Sequence, residues 1–410
     1  MNNHLPATER NANAVAITGI GVTSPLGRDV GSFKDALLGC RSCLETLSIF
    51  DAGLDPKPVV AQVRESLDVD DRPGFRLSRT DRLAVLASRD ALADAFPDGH
   101  GLAEGGIVVA TTVAGLSEVD HQAATDPRGY YRKLGLLSAS SYQHGHVADV
   151  MSSYFGLQGP RLTVSVACAS GSMAIAIAAR MILEGNVPFV LAGGSEALCR
   201  FTISGFNALQ ALDPEPCRPF DRSRSGLNIG EGAAMLVLES LRRARERKAH
   251  VWALVRGWGM TNDAFHPTAP AEDGHGLAES MLLSMKMAGV GPDEIGYVNA
   301  HGTGTYLNDI AEAKAYEEAF RGRSRPIPVS SSKSYFGHNL GAAGALEAVV
   351  TVLSLRSGFL FPTLRLRDPI ESTSIDWLMG EPRCESISMA ISASAGFGGS
   401  NTSLLLGVGE

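Results

Sequence analysis

The sequence predicts a layered α/β fold containing an internal duplication, and three observations carry this reading. Short apolar and β-branched runs alternate with helical stretches along the 410 residues, the order that builds sheets covered by helices. Three of those runs recur in a second copy further down the chain. Two helical runs, Ser170 to Leu183 and Gly341 to Leu355, are apolar nearly all round and rich in alanine and glycine, so each is expected to be buried on every side against close backbone.

The first strand is AVAITGIGV, residues 14–22, closed by the turn-prone TSPLG. GIVVATTV at 106–113 reads as a buried strand. A strand is also expected from Leu162 to Val166, with Ser170 as N-cap of the helix behind it. The second copy then begins. WALVRGWGMTNDAF at 252–265 repeats the first strand, each running into Gly-x-Gly, an apolar residue and a polar turn. RPIPVSSSKSYFG at 325–337 parallels PRLTVSVACASG at 160–171, and SMAISASAGFGG at 388–399 parallels FVLAGGSEA at 189–197. IGYVNAHGTG at 295–304 is a further buried strand ending in a histidine. The offsets are unequal, so the first copy carries more inserted sequence, and the halves are expected at 13–250 and 251–410.

Composition narrows the function. Hydrophobic residues make up 44%, charged residues 20%, and there are 45 glycines, as in a globular α/β protein with many tight turns. A net charge of −8 argues against a nucleic-acid binder. Basic residues do cluster at Arg72, Arg76, Arg79 and Arg82 and in LRRARERKAH at 241–250, either as solvated helix faces or as patches that dock an acidic partner. The N-terminal segment lacks the apolar core of a secretory signal, and no apolar stretch is expected to reach the ~18 residues that span a bilayer, so the expected location is cytoplasmic. Six scattered cysteines make no disulfide framework, and the lone CxxC of Cys40 and Cys43 reads as structural.

Cys168 is the residue around which the chemistry gathers. It sits where a strand turns into a helix, where free backbone N–H groups and the positive end of the helix dipole favour a thiolate and an oxyanion. A lone cysteine is more often a small buried hydrophobe, so the neighbours decide. His301 follows a strand in a loop of glycines and threonines. Lys333 and His338 lie five residues apart at the start of the second buried helix, and Phe397 lies in a glycine loop near the C-terminus.

The set VACASG, HGTGT, SSKSYFGHNLGAAG, GFGGSN and CRPFDRSRSGLNIGEGA resembles the β-ketoacyl-[acyl-carrier-protein] synthase family, the elongating decarboxylative condensing enzymes of the thiolase superfamily. The resemblance runs from AITGIGVTSPLG at residue 16 to the C-terminus. It implies a thiolase-like fold: two duplicated α/β halves in a five-layer α-β-α-β-α arrangement, the N-terminal half carrying the nucleophile and the C-terminal half the His/Lys/His set. Cys168 matches the nucleophile that accepts an acyl group as a thioester. His301 and His338 match the two active-site histidines, Lys333 the lysine of its motif, and Glu312 an acidic residue that supports it. Phe397 matches the gating phenylalanine, whose N–H joins that of Cys168 in the oxyanion hole.

The implied reaction is decarboxylative Claisen condensation with malonyl-carrier protein. It needs a thiolate-type acyl acceptor and two imidazole N–H donors on the malonyl thioester oxygen. By the same resemblance His266 and Thr268 line the access tunnel, and Val113 lines the acyl pocket. Thr303 and Thr305 bind the pantetheine arm or simply stabilise their own turn. No cofactor is implied beyond the phosphopantetheine of an acyl-carrier protein, and the partners implied are that carrier and a second subunit, either identical or a chain-length factor. The loop SASAGFGGSN lacks the second cysteine of degradative thiolases. Departures from the fatty-acid pattern fall at Ala395, at Gln210, in SGLNIGEG and in the segment 130–150, which introduces His144. They point to a specialised polyketide or polyene substrate, with housekeeping fatty-acid elongation as the alternative.

Overall fold

The computed structural model describes residues 14–70, 76–125 and 140–409, the side chains of 121–125 excepted. The N-terminal segment, Arg72 and residues 130–139 of the 130–150 segment lie outside the described residues. Five strands of the first half, β1 (Val15–Thr23), β2 (Gly106–Ala110), β3 (Arg161–Val164), β4 (Phe189–Glu196) and β5 (Gly232–Ser240), are followed by six in the second. These are β6 (Ala253–Asn262), β7 (Tyr297–Asn299), β8 (Ile327–Ser330), β9 (Ile375–Trp377), β10 (Met389–Gly396) and β11 (Ser400–Gly407). All join one sheet in the order β9-β8-β7-β10-β11-β6-β1-β5-β4-β2-β3.

That order contains the duplication. In the first half β2 runs parallel to β3 and β4, while β5 runs antiparallel to β4 and β1. In the second, β7 runs parallel to β8 and β10, while β11 runs antiparallel to β10 and β6. Each half therefore has the same order and sense, with β9 added at the edge. The halves meet where β1 pairs antiparallel with β6, Val15 opposite Val255. The three recurring segments fall on β1 and β6, β3 and β8, and β4 and β10.

Five helices complete the layers: α1 (Arg79–Ala95), α2 (Ser170–Leu183), α3 (His275–Ala288), α4 (Tyr306–Ala319) and α5 (Ala343–Ser357). Helix α1 covers the outer face of the first half, α3 and α4 that of the second, and α2 and α5 pack on each other between the two. This is the expected five-layer arrangement. The repeated Gly-x-Gly has a packing cause. A Cβ on Gly19 or Gly21 would stand 2.2 Å from the carbonyl oxygen of Ala91 or 1.9 Å from that of Ala87, both on α1. At Gly257 and Gly259 the same clash would arise at 2.3 Å and 1.9 Å with Ser284 and Ser280 on α3. Strand and helix touch backbone to backbone in both copies. The central helices do the same, since a Cβ on Gly171 would lie 2.6 Å from the Ala345 nitrogen.

Two expectations are corrected here. Ser170 is the first residue of α2 rather than its N-cap, because its hydroxyl accepts the Val166 N–H at 2.8 Å and donates to the Ala167 carbonyl at 2.5 Å, bracing the turn before the helix. One apolar stretch, Leu340–Ser357, does have the 18 residues and hydropathy of a membrane span, but 89% of it is buried as the core helix of the second half.

Candidate active site

The turn between β3 and α2 delivers Cys168. Ala167 holds φ 50°, a left-handed value unusual for a residue with a Cβ, and the constraint turns the next side chain towards the seam between the halves. The end of β10 closes over it. The two segments lie close, since a Cβ on Gly396 would stand 3.0 Å from the Cys168 nitrogen. The N–H of the next residue, Phe397, donates to the Cys168 sulfur. The thiol is buried, and burial pushes it up to about 12 against the opposing pull of Lys333 and the Phe397 N–H. The expected thiolate at a helix N-terminus is not the form of the free protein; desolvation outweighs the local dipole and leaves a neutral thiol.

The second half supplies the rest. The His301 and His338 rings stand edge to face with centroids 5.2 Å apart, both buried. Burial, and then the charge of Lys333, pushes both imidazoles well below their ordinary range, so both are neutral. Lys333 is buried and directs its ammonium at three acceptors: the His301 carbonyl at 2.6 Å, His301 Nδ1 at 3.3 Å and Glu347. An ammonium can only donate. His301 Nδ1 is therefore an acceptor, and the ring proton is confined to Nε2.

Glu312 acts on the backbone of this loop. Its carboxylate accepts the N–H of His301 at 2.6 Å and of Gly302 at 2.7 Å, as well as Asn308 and the Tyr316 hydroxyl. Burial pushes its acid up to about 7 despite these donors. The direct carboxylate partner of Lys333 is instead Glu347 on α5, which the sequence reading missed although the signal was present: it is the single acid inside an otherwise apolar buried helix, where a carboxylate needs a partner. Glu196, at the end of β4, was missed in the same way. It accepts from the N–H groups of Thr112, Val113 and Gly341 and from two threonine hydroxyls, tying the end of β2 to the start of the second central helix.

A cavity of about 360 Å³ opens onto this centre, lined by Cys168, His301, His338, Phe397, Thr303 and Thr305, with His266 and Thr268 at the mouth. Lys333 and Glu312 stand behind its wall. Val113 does not line it; that residue is buried beside Glu196. The Thr303 and Thr305 hydroxyls are 2.8 Å apart, and Thr303 also accepts the Thr305 N–H at 3.3 Å, so they brace their turn while facing the cavity. Phe206 stacks on Phe397, with centroids 5.6 Å apart, and forms the opposite lip. His266 Nδ1 accepts the N–H groups of Thr268 and Ala269. Cys40 and Cys43 are free thiols that do not line the cavity.

A thiol under the Phe397 N–H, facing two neutral imidazoles at a duplicated seam, fits a condensing-type acyltransferase site in a thiolase-like fold. The chain belongs to the β-ketoacyl synthase family: residues 12–244 match "Beta-ketoacyl synthase, N-terminal domain" and residues 252–367 match "Beta-ketoacyl synthase, C-terminal domain". It is 34% identical to 3-oxoacyl-[acyl-carrier-protein] synthase 2 of Coxiella burnetii over 96% of this chain and 98% of that protein. It is 32% identical to the tetracenomycin polyketide synthase ketoacyl synthase alpha subunit of Streptomyces glaucescens over 97% and 98%. Among solved structures, the ishigamide ketosynthase/chain length factor superposes with a TM-score of 0.89 at 31% identity, covering 97% of this chain and 99% of that one.

Proposed function

We propose that the chain catalyses decarboxylative condensation of an acyl group with malonyl-acyl-carrier protein. In the first half-reaction the Cys168 sulfur bonds to the acyl carbon, the bond to the pantetheine sulfur breaks, and the thiol proton passes to the departing sulfur. The free thiol is neutral, so the nucleophile becomes anionic only as the carbonyl is attacked, with the N–H groups of Cys168 and Phe397 receiving the developing oxyanion. In the second, the malonyl carboxylate leaves as carbon dioxide and the electron pair moves onto the thioester oxygen. The enolate carbon then bonds to the acyl carbon, the Cys168 sulfur leaves, and a solvent proton restores the thiol. The products are 3-oxoacyl-carrier protein and carbon dioxide.

The observation that carries this reading is the Lys333–His301 contact. It keeps a proton on His301 Nε2, the atom needed to stabilise an enolate oxygen, with His338 as the second donor. Lys333 has each of its three protons engaged and acts as a fixed charge rather than a base. Phe397 would gate the cavity, and Thr303, Thr305, His266 and Thr268 would contact the pantetheine arm. Val113, outside the cavity of the single chain, would line the acyl pocket only where a partner subunit closes it.

The halves at 13–250 and 251–410 would each contribute one side of this centre. The chain would work in the cytoplasm as a dimer, and no metal or redox group takes part in the steps above. The likeness to a ketosynthase that pairs with a chain-length factor favours a specialised polyketide or polyene pathway, with a heterodimer as the active unit, over housekeeping elongation. Intact-protein mass after incubation with saturated, polyunsaturated and aryl acyl-carrier thioesters tests the reading. An adduct lost in Cys168→Ala is expected; normal product formation by that variant would sink the proposal.

A further inference from the structure

Two loops that the catalytic steps leave unused enclose a second polar cleft. The segment 217–224 and the segment 361–371 are zipped together by the Arg222 N–H on the Asp368 carbonyl at 2.8 Å and the Ile370 N–H on the Phe220 carbonyl at 2.9 Å. Between them lies a cleft of about 600 Å³ lined by Arg218, Arg222, Arg365 and Arg367 together with Asp221, Ser223 and Asp368.

The arginines are oriented before any ligand arrives. Nε of Arg218 donates to the Ser223 carbonyl at 3.0 Å, that of Arg222 to the Pro369 carbonyl at 3.3 Å, and that of Arg365 to the Cys217 carbonyl at 2.9 Å. Backbone tethers at Nε fix the planes of three guanidinium forks.

The acids nearby match the arginines in number, but each is already engaged by other donors. Asp221 is turned onto backbone: it accepts the N–H groups of Ser223, Arg367 and Asp368, donors that outweigh burial and hold it at about 2. Asp368 and Glu371 are taken by Arg222, and Asp213 stands 3.9 Å from Arg218. Among the described residues, Arg365 and Arg367 make no ion pair. Arg365 is half-buried and donates to the carbonyls of Cys217 and Ser334, and burial pushes its guanidinium below the usual range. A half-buried cation that makes no ion pair of its own is stabilised by an anion with several acceptor oxygens.

We propose that this cleft is a phosphate-binding site separate from the substrate cavity. Rigid arginine forks converging in a concavity suit the tetrahedral, multiply charged oxygens of a phosphate better than a single carboxylate. The cleft also adjoins the catalytic loops. Arg365 bonds the carbonyl of Ser334, next to Lys333, while neighbouring Arg224 donates to the Tyr306 carbonyl at 2.9 Å on the rim of the substrate cavity. The phosphate could come from a free small molecule or from the phosphodiester of a carrier-borne arm.

Calorimetric titration of the full chain with inorganic pyrophosphate tests this. Saturable binding is expected, weakened at least tenfold in Arg367→Gln and further in Arg222→Gln/Arg367→Gln. Lys248→Gln, on a separate basic surface, should keep wild-type affinity. Thermal midpoints of the variants near wild type would show that they fold. Displacement of pyrophosphate by a phosphopantetheinylated carrier, but not by its unmodified form, assigns the carrier arm as the source; displacement by free coenzyme A alone assigns a small molecule. No saturable binding, or equal affinity in the double variant, overturns the inference.

Discussion

Replacing Lys333 separates the two roles that the structure gives it, as a buried counter-charge and as the lock on His301. In Lys333→Met the Glu347 carboxylate loses its cation, and its Oε2 already has no hydrogen-bond partner among the described residues. Removing one member of a buried pair costs about 3–5 kcal/mol, and that loss is expected in urea unfolding. Adding Glu347→Leu removes the stranded carboxylate and should restore most of the stability. Activity should not return with it. Without the ammonium on Nδ1, His301 is free to carry its proton there and present a lone pair where a donor is needed. Losing one well-placed donor costs roughly 10²–10³-fold in rate. Condensation by the refolded double variant should fall by about that factor in a malonyl-carrier assay, while acyl loading of Cys168, which does not use the Nε2 donor, falls much less. A double variant that is stable and condenses at the wild-type rate would refute the tautomer argument.

Three further outcomes follow from the same geometry. Because burial holds the Cys168 thiol near 12, the neutral form dominates below that value, so alkylation by iodoacetamide should rise about tenfold per pH unit from 7 to 10; a plateau below pH 8 would show a thiolate instead. Glu196→Ala should lower stability by about 3 kcal/mol in urea, because the buried N–H groups of Thr112, Val113 and Gly341 lose their acceptor together. Gly344→Val should fail to give soluble protein at 37 °C, since even a Cβ there would stand 2.4 Å from the Ser172 hydroxyl oxygen on the facing central helix; a fold as stable as wild type would contradict the backbone contact between α2 and α5.

Much of this was legible in the chain. The Gly-x-Gly pairs at 19–21 and 257–259 could be read as a repeat because the same packing demand, a helix lying on strand backbone, was imposed twice. Cys168, His301, Lys333 and His338 were legible because each sits at a strand end or helix start among small residues. The supporting carboxylates were harder. Glu347 and Glu196 act through contacts across 14 and 145 residues of sequence, to Lys333 and Gly341, and only folding brings the partners together. The state of Cys168 misled for a related reason: a helix terminus is visible in sequence, whereas the apolar walls that desolvate a thiol come from distant segments, among them Leu47, Leu198 and Leu340.

The matching strand order of the two halves bears on how such a centre could arise. The turn after β3 carries Cys168, and its counterpart after β8 carries Lys333; the end of β2 leads to the Glu196-held threonines, and its counterpart β7 leads to His301. Equivalent stations of a doubled scaffold thus hold a cysteine on one side and a lysine on the other, an acid-braced backbone on one side and a histidine on the other. The two halves bring different side chains to one centre, so the pseudosymmetry that orders the sheet stops at the site that the halves enclose.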